Sequence, residues 1–94
     1  VTLEYDIDPQ HIRAFTQAMN PVRRMRQRNG SFSWSLVQDS QDPRRWCEVF
    51  YDESWLGHLR HHQRVTRAEL KIEAAARRYQ TEGVKIGIRH FLQG

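Results

Sequence analysis

The sequence predicts an α+β fold of the ferredoxin-like, split βαβ kind, a four-stranded antiparallel sheet with helices on one face. Three observations predict it. Apolar residues alternate at period two in separate short stretches, helical spacing fills the intervals, and the order is strand, helix, strand, strand, helix pair, strand. At 94 residues the chain has room for one domain, 1–94, with a thin core.

Val1, Leu3, Tyr5 and Ile7 alternate with Thr2, Glu4 and Asp6, as in a half-buried strand. Asp8-Pro9 then starts a helix: the carboxylate accepts from free backbone N–H groups and proline fits the first turn. Ile12, Phe15, Met19 and Val22 form its apolar stripe. Pro21 removes one hydrogen bond and is expected to kink it, and Asn29-Gly30 supplies a left-handed stop.

The second strand is expected over 31–38, with Phe32, Trp34 and Leu36 on one face. Turn residues 39–43 lead to a third strand over 44–51. There Trp46, Glu48 and Phe50 share one side and Cys47, Val49 and Tyr51 the other. Ser54 caps a helix carrying Trp55, Leu56 and Leu59. Thr66 and Glu69 have the spacing of a capping box for another, with Leu70, Ala74 and Tyr79 on its stripe. After a break at Thr81-Glu82-Gly83, Val84, Ile86 and Ile88 mark the fourth strand.

Helices cover one face of such a sheet, yet the middle strands are apolar on both. Each large side chain left wet forgoes about 1.5–3 kcal/mol, so a second copy packed on the open face is expected, making a homodimer.

Hydrophobic residues at 38% and charged residues at 28% describe a globular chain, and the short apolar runs do not cross a bilayer. The chain opens directly into a strand pattern rather than a signal peptide, which fits a cytoplasmic location. Its first residue is Val1, as in a segment of a longer chain or after methionine removal. Cys47 is the only cysteine, so neither an internal disulfide nor a multi-cysteine zinc site is available. Cys47 lies mid-strand without a glycine elbow or helix N-terminus, which suits a core thiol better than a nucleophile.

Net charge is +4, and of the 15 basic residues only Lys71 and Lys85 are lysine. Arg23, Arg24, Arg26 and Arg28 crowd the end of the first helix, either as a solvated face favouring the helix dipole or as contacts to an anionic surface. His58 and His62 stand four apart beside His61, an incomplete ligand set, and no metal site is assigned. No phosphate loop, dinucleotide fingerprint or paired-acid motif occurs, and no cofactor is expected. RNA-recognition domains share this strand order, but 45–51 lacks their glycine and Glu48, Glu4 and Asp6 would repel phosphate, so nucleic acid is not an expected partner.

Several segments resemble the soluble C-terminal domain of major facilitator superfamily exporters of the transmembrane secretion effector group. They are Phe15-x-x-Ala18-Met19, Arg23-Arg24-x-Arg26-x-Arg28-Asn29-Gly30 and Trp34-x-Leu36-x-x-Asp39. The most distinctive is Glu53-Ser54-Trp55-x-x-His58-Leu59-Arg60-x-His62-x-Arg64-Val65-Thr66. That domain is similar to the antibiotic-biosynthesis-monooxygenase family of dimeric α/β barrels. Relatives that degrade haem use an Asn, a Trp and a His. Tyr51 stands at the Trp position with His61 beyond it, and Tyr5 and Asp6 occupy the first strand where the Asn is required, so that site does not carry over.

The resemblance implies a non-catalytic cytoplasmic domain of an exporter, tethered to the inner membrane, that pairs subunits or senses a small apolar or aromatic ligand. The alternative it implies is a stand-alone, cofactor-independent monooxygenase acting on an aromatic substrate. Pocket or dimer-face residues are expected among Trp34, Trp46, Phe50, Tyr51, Trp55, His58, His61 and His62.

Overall fold

In a computed structural model, residues 1–52 and 65–92 are described. Strand β1 (Thr2–Asp6) leads through a short 3-10 turn (Pro9–His11) into helix α1 (Ile12–Arg28), followed by β2 (Ser31–Gln38), β3 (Arg45–Asp52), helix α2 (Arg67–Arg77) and β4 (Gly87–Arg89). The strands form one antiparallel sheet in the order β2-β3-β1-β4. This is the split βαβ arrangement: α1 crosses from the central β1 to the edge strand β2, and the hairpin β2-β3 brings the chain back beside β1.

The helix starts follow local chemistry. Asp8 Oδ1 accepts from Gln10 N at 3.1 Å ahead of Pro9. Thr66 Oγ1 accepts from Glu69 N at 3.1 Å at the start of α2. Helix α1 is unbroken across Pro21, and Gly30 behind it adopts a φ of 93°, the left-handed geometry that glycine tolerates.

One layer of core lies between the sheet and the helices. Leu3, Tyr5 and Ile7 of β1 pack with Phe15, Met19, Val22 and Met25 of α1, Phe50 of β3 and Ala76 of α2. Phe15 is wholly buried, its ring 5.2 Å from that of Tyr5 and 6.1 Å from that of Trp46. The helices run antiparallel: Asn29 Nδ2 donates to Glu69 Oε2 at 2.6 Å at one end, and the His11 and Tyr79 rings lie 5.8 Å apart at the other.

Three expectations change. Phe32 does not share a face with Trp34 and Leu36, because the pairing register shifts between Phe32 and Ser35 and Ser33 takes a φ of 52°. This bulge turns Phe32 to the far side of the sheet. On α2, Leu70 and Ala74 are exposed, and Ile72 and Ala76 face the core with Glu69 and Glu73 beside them, because polar partners on α1 receive those acids. The fourth strand is only Gly87–Arg89; Val84 is exposed, and the chain before it bonds to β1 through Thr81 N and the Asp6 carbonyl at 2.9 Å. The helix expected from Ser54 lies outside the described residues.

Candidate functional site

Between sheet and helices, Glu48 is fully buried and accepts from three side chains. Arg26 Nε donates to its Oε2 at 3.1 Å, Trp34 Nε1 to the same oxygen at 2.8 Å, and Tyr5 Oη to Oε1 at 3.3 Å. Arg26 also reaches Glu73 at 3.2 Å, and its guanidinium lies 4.9 Å from the Phe50 ring centroid. A carboxylate so enclosed is satisfied in charge and hydrogen bonding, the condition for keeping it in a core. Burial pushes the Tyr5 phenol up, and the Glu48 charge pushes it further, so Tyr5 stays a donor. For Arg26, burial works against the charge, but Glu48 and then Glu73 outweigh it and hold the guanidinium protonated.

Beside this network is a cleft of about 390 Å³ whose apolar walls include Leu3, Phe50, Leu70 and Ile88, with Glu73 and Arg77 at its polar edge. Those two residues form an ion pair at 3.2 Å. The cleft can hold a small apolar body, and its charged edge is already internally neutralised.

The other face of the sheet divides in two. On the β2-β3 half, Phe32 and Tyr51 pair across the strands with stacked rings 5.9 Å apart, each half exposed at 50% and 51%. Val37, opposite Cys47, and Val49, opposite Ser35, extend this apolar strip. On the β1 half the face is charged: Arg45 bonds Glu4 at 3.2 Å, and Arg44 bonds Asp6 at 3.3 Å. Cys47 stands at the seam, where burial and then the carboxylates Glu4 and Glu48 push its thiol up, away from nucleophilic chemistry.

The model of the family described as transmembrane secretion effector matches residues 1–94. The chain belongs to the transmembrane secretion effector family. The chain is similar in fold to a putative antibiotic biosynthesis monooxygenase from Nitrosomonas europaea, with TM-score 0.72 and 17% identity over 97% of this chain and 86% of that one. A second antibiotic biosynthesis monooxygenase matches with TM-score 0.69 and 14% identity, over 98% and 96% of the two chains. A conserved protein from Methanosarcina mazei Go1 matches with TM-score 0.70 and 9% identity, over 92% and 84%. No curated protein matches the chain.

In this fold, the residues singled out in the sequence go to different places. Trp34, Trp46 and Phe50 lie on the helix side against the core, and Phe50 lines the cleft. They are therefore not on the open face. Tyr51 is there, together with Phe32, which the period-two reading put on the wrong side. Tyr51 and Tyr5 point to opposite faces, so the haem-degrading arrangement is not assembled around the cleft. Among the described residues, Trp46 Nε1 is buried without a hydrogen-bond partner. Trp55, His58, His61 and His62 lie outside the described residues. Among the described residues no cluster of three metal-ligating side chains occurs and no helix is long and apolar enough to cross a membrane.

Arg26 is the correction in the arginine cluster. It is turned inward to Glu48, whereas Arg23, Arg24 and Arg28 are exposed, with the Arg23 guanidinium 5.8 Å from the Trp34 ring centroid. Sequence reasoning missed Glu48 as the partner. The available signal was an acid between two aromatics, Trp46 and Phe50, on one strand face.

Proposed function

We propose that this chain is a non-catalytic pairing module of a membrane exporter. Its sheet packs through the open face on a second copy, and the cleft beside Phe50 receives a small apolar ligand. The observation that carries the reading is the half-exposed Phe32–Tyr51 stack, continued by Val37 at 48% exposure, on the side of the sheet away from the core. A solvated sheet face is ordinarily polar. Family membership supports the exporter context. The inward-facing ionisable groups are bound to one another, which supports a structural rather than a catalytic use of them.

Sedimentation equilibrium of the chain and of Tyr51→Asp tests the pairing. An aromatic buries about 150–250 Å² in full, so the exposed half of Tyr51 contributes roughly 2–3 kcal/mol per protomer on covering, and twofold symmetry counts it twice. The substituted chain is expected to be monomeric at concentrations where the parent is dimeric. A parent that is monomeric throughout the micromolar range would contradict the proposal.

A second reading, cofactor-independent oxygenation of an aromatic substrate, draws on the fold likeness to antibiotic biosynthesis monooxygenases together with the apolar cleft. Oxygen uptake with polycyclic phenols that disappears in Phe50→Ala while the dimer persists would favour it.

A further inference from the structure

Among the described residues, the outer face of the two helices carries only basic charge. On α1, which contains no acidic residue, Arg13, Arg24 and Arg28 are exposed and Arg23 flanks them. On α2, Arg67, Lys71, Ala74 and, at its C-terminal cap, Arg78 recur at spacings of four, three and four residues, which is one helical stripe, and all are exposed. The acids of α2, Glu69 and Glu73, are turned inward to Asn29 and to Arg26 and Arg77. Among the described residues none of Arg13, Arg24, Arg28, Arg67 and Lys71 forms an ion pair. Asp8 and Glu82 line a cleft with Arg78 at the end of the layer where α1 begins and α2 ends.

Through its i, i+4 spacing this arrangement works against the helices, although Arg28 in the last turn of α1 suits the helix dipole. Arg24–Arg28 and Arg67–Lys71 are like-charge pairs at i, i+4, which destabilise a helix, while the same α2 places an opposite-charge pair at that spacing on its inner side. A face of that kind is complementary to a sheet of anions. We propose that the outer face of the α1-α2 layer docks on anionic lipid headgroups. Lipid is favoured over nucleic acid because, among the described residues, no exposed aromatic side chain belongs to α1 or α2 for base stacking. It is also favoured because the domain works beside a bilayer under the proposed function, on which the inference rests in this respect. The docking face is opposite the pairing face, so a dimer presents one such layer to a flat membrane at a time.

Co-sedimentation with vesicles of phosphatidylcholine alone, or with about one third phosphatidylglycerol, tests it, with molar mass measured on the same samples so that pairing and docking are read separately. Binding is expected only with phosphatidylglycerol and is expected to vanish in about 0.5 M salt. Arg24→Gln/Arg28→Gln and, independently, Arg67→Gln/Lys71→Gln are each expected to weaken partitioning about 10–30-fold. Lys85→Gln/Arg89→Gln, with the same change in net charge near the sheet edge, is expected to change it less than about threefold. Equal losses in all three variants, no binding to anionic vesicles in low salt, or binding to single-stranded RNA where vesicles fail would each overturn the proposal.

Discussion

Replacing Arg26 by methionine removes a guanidinium whose side chain is 15% exposed and leaves behind a carboxylate, Glu48, at 0%. The lost contacts are the 3.1 Å bond to Glu48, the 3.2 Å bond to Glu73 and the stacking over Phe50. Trp34 and Tyr5 remain as donors, but neither carries charge. Breaking a buried pair from one side costs about 3–5 kcal/mol, a large part of the 5–15 kcal/mol that holds an ordinary domain together. Urea denaturation of Arg26→Met should show that loss, and thermal unfolding should fall by roughly 15–30 °C. Arg24→Met, two residues away on the exposed side, should stay within about 0.5 kcal/mol of the parent. In the double variant Arg26→Met/Glu48→Leu the unpaired charge is gone, so the loss should fall short of the sum of the single losses by about 2 kcal/mol or more. A loss below about 1 kcal/mol in Arg26→Met, or strict additivity, would refute the description of this network.

Two more outcomes follow from single hydrogen bonds, one in this network and one at the start of α2. Because Tyr5 is held above its unfolded value of 10.0, its contribution is complete below that pH and is lost as pH rises past it; Tyr5→Phe should start less stable by about 1 kcal/mol but decline less steeply in urea titrations above pH 10. Thr66→Ala removes the side-chain cap of α2 and should cost about 1 kcal/mol, measurable as an earlier urea midpoint with unchanged slope.

The fold was legible because its signals are local. Leu3, Tyr5 and Ile7 alternate cleanly, Phe15, Met19 and Val22 repeat at helical spacing, and the turn residues at 39–43 leave a hairpin as the natural connection. The positions misread are those decided by distant partners. Nothing in Ser31-Phe32-Ser33 announces the bulge that moves Phe32 across the sheet, since serine at positive φ is uncommon. Strand β3 is apolar on both faces, and its helix side is settled by Leu3 and Tyr5 of the neighbouring strand, which stand opposite Glu48 and Trp46. Arg26 reads like its neighbours until Glu48, 22 residues away, is placed under it. The outer stripe at 67, 71, 74 and 78, basic at all but Ala74, was visible as a spacing, but its meaning depends on Glu69 and Glu73 facing inward. That the apolar strip would be only half of the open face, bordered by the Glu4–Arg45 and Asp6–Arg44 pairs, also required the strand order.

Cys47 offers the most direct test of what covers that face, because it stands between the apolar strip and the charged half and reports on the surface itself rather than on mass alone. Its alkylation rate with iodoacetamide, measured at fixed pH over a dilution series from high to low micromolar, should rise as the protein is diluted and copies separate. A rate independent of concentration, in a chain whose molar mass is dimeric, would place the contact elsewhere and contradict pairing through this side of the sheet.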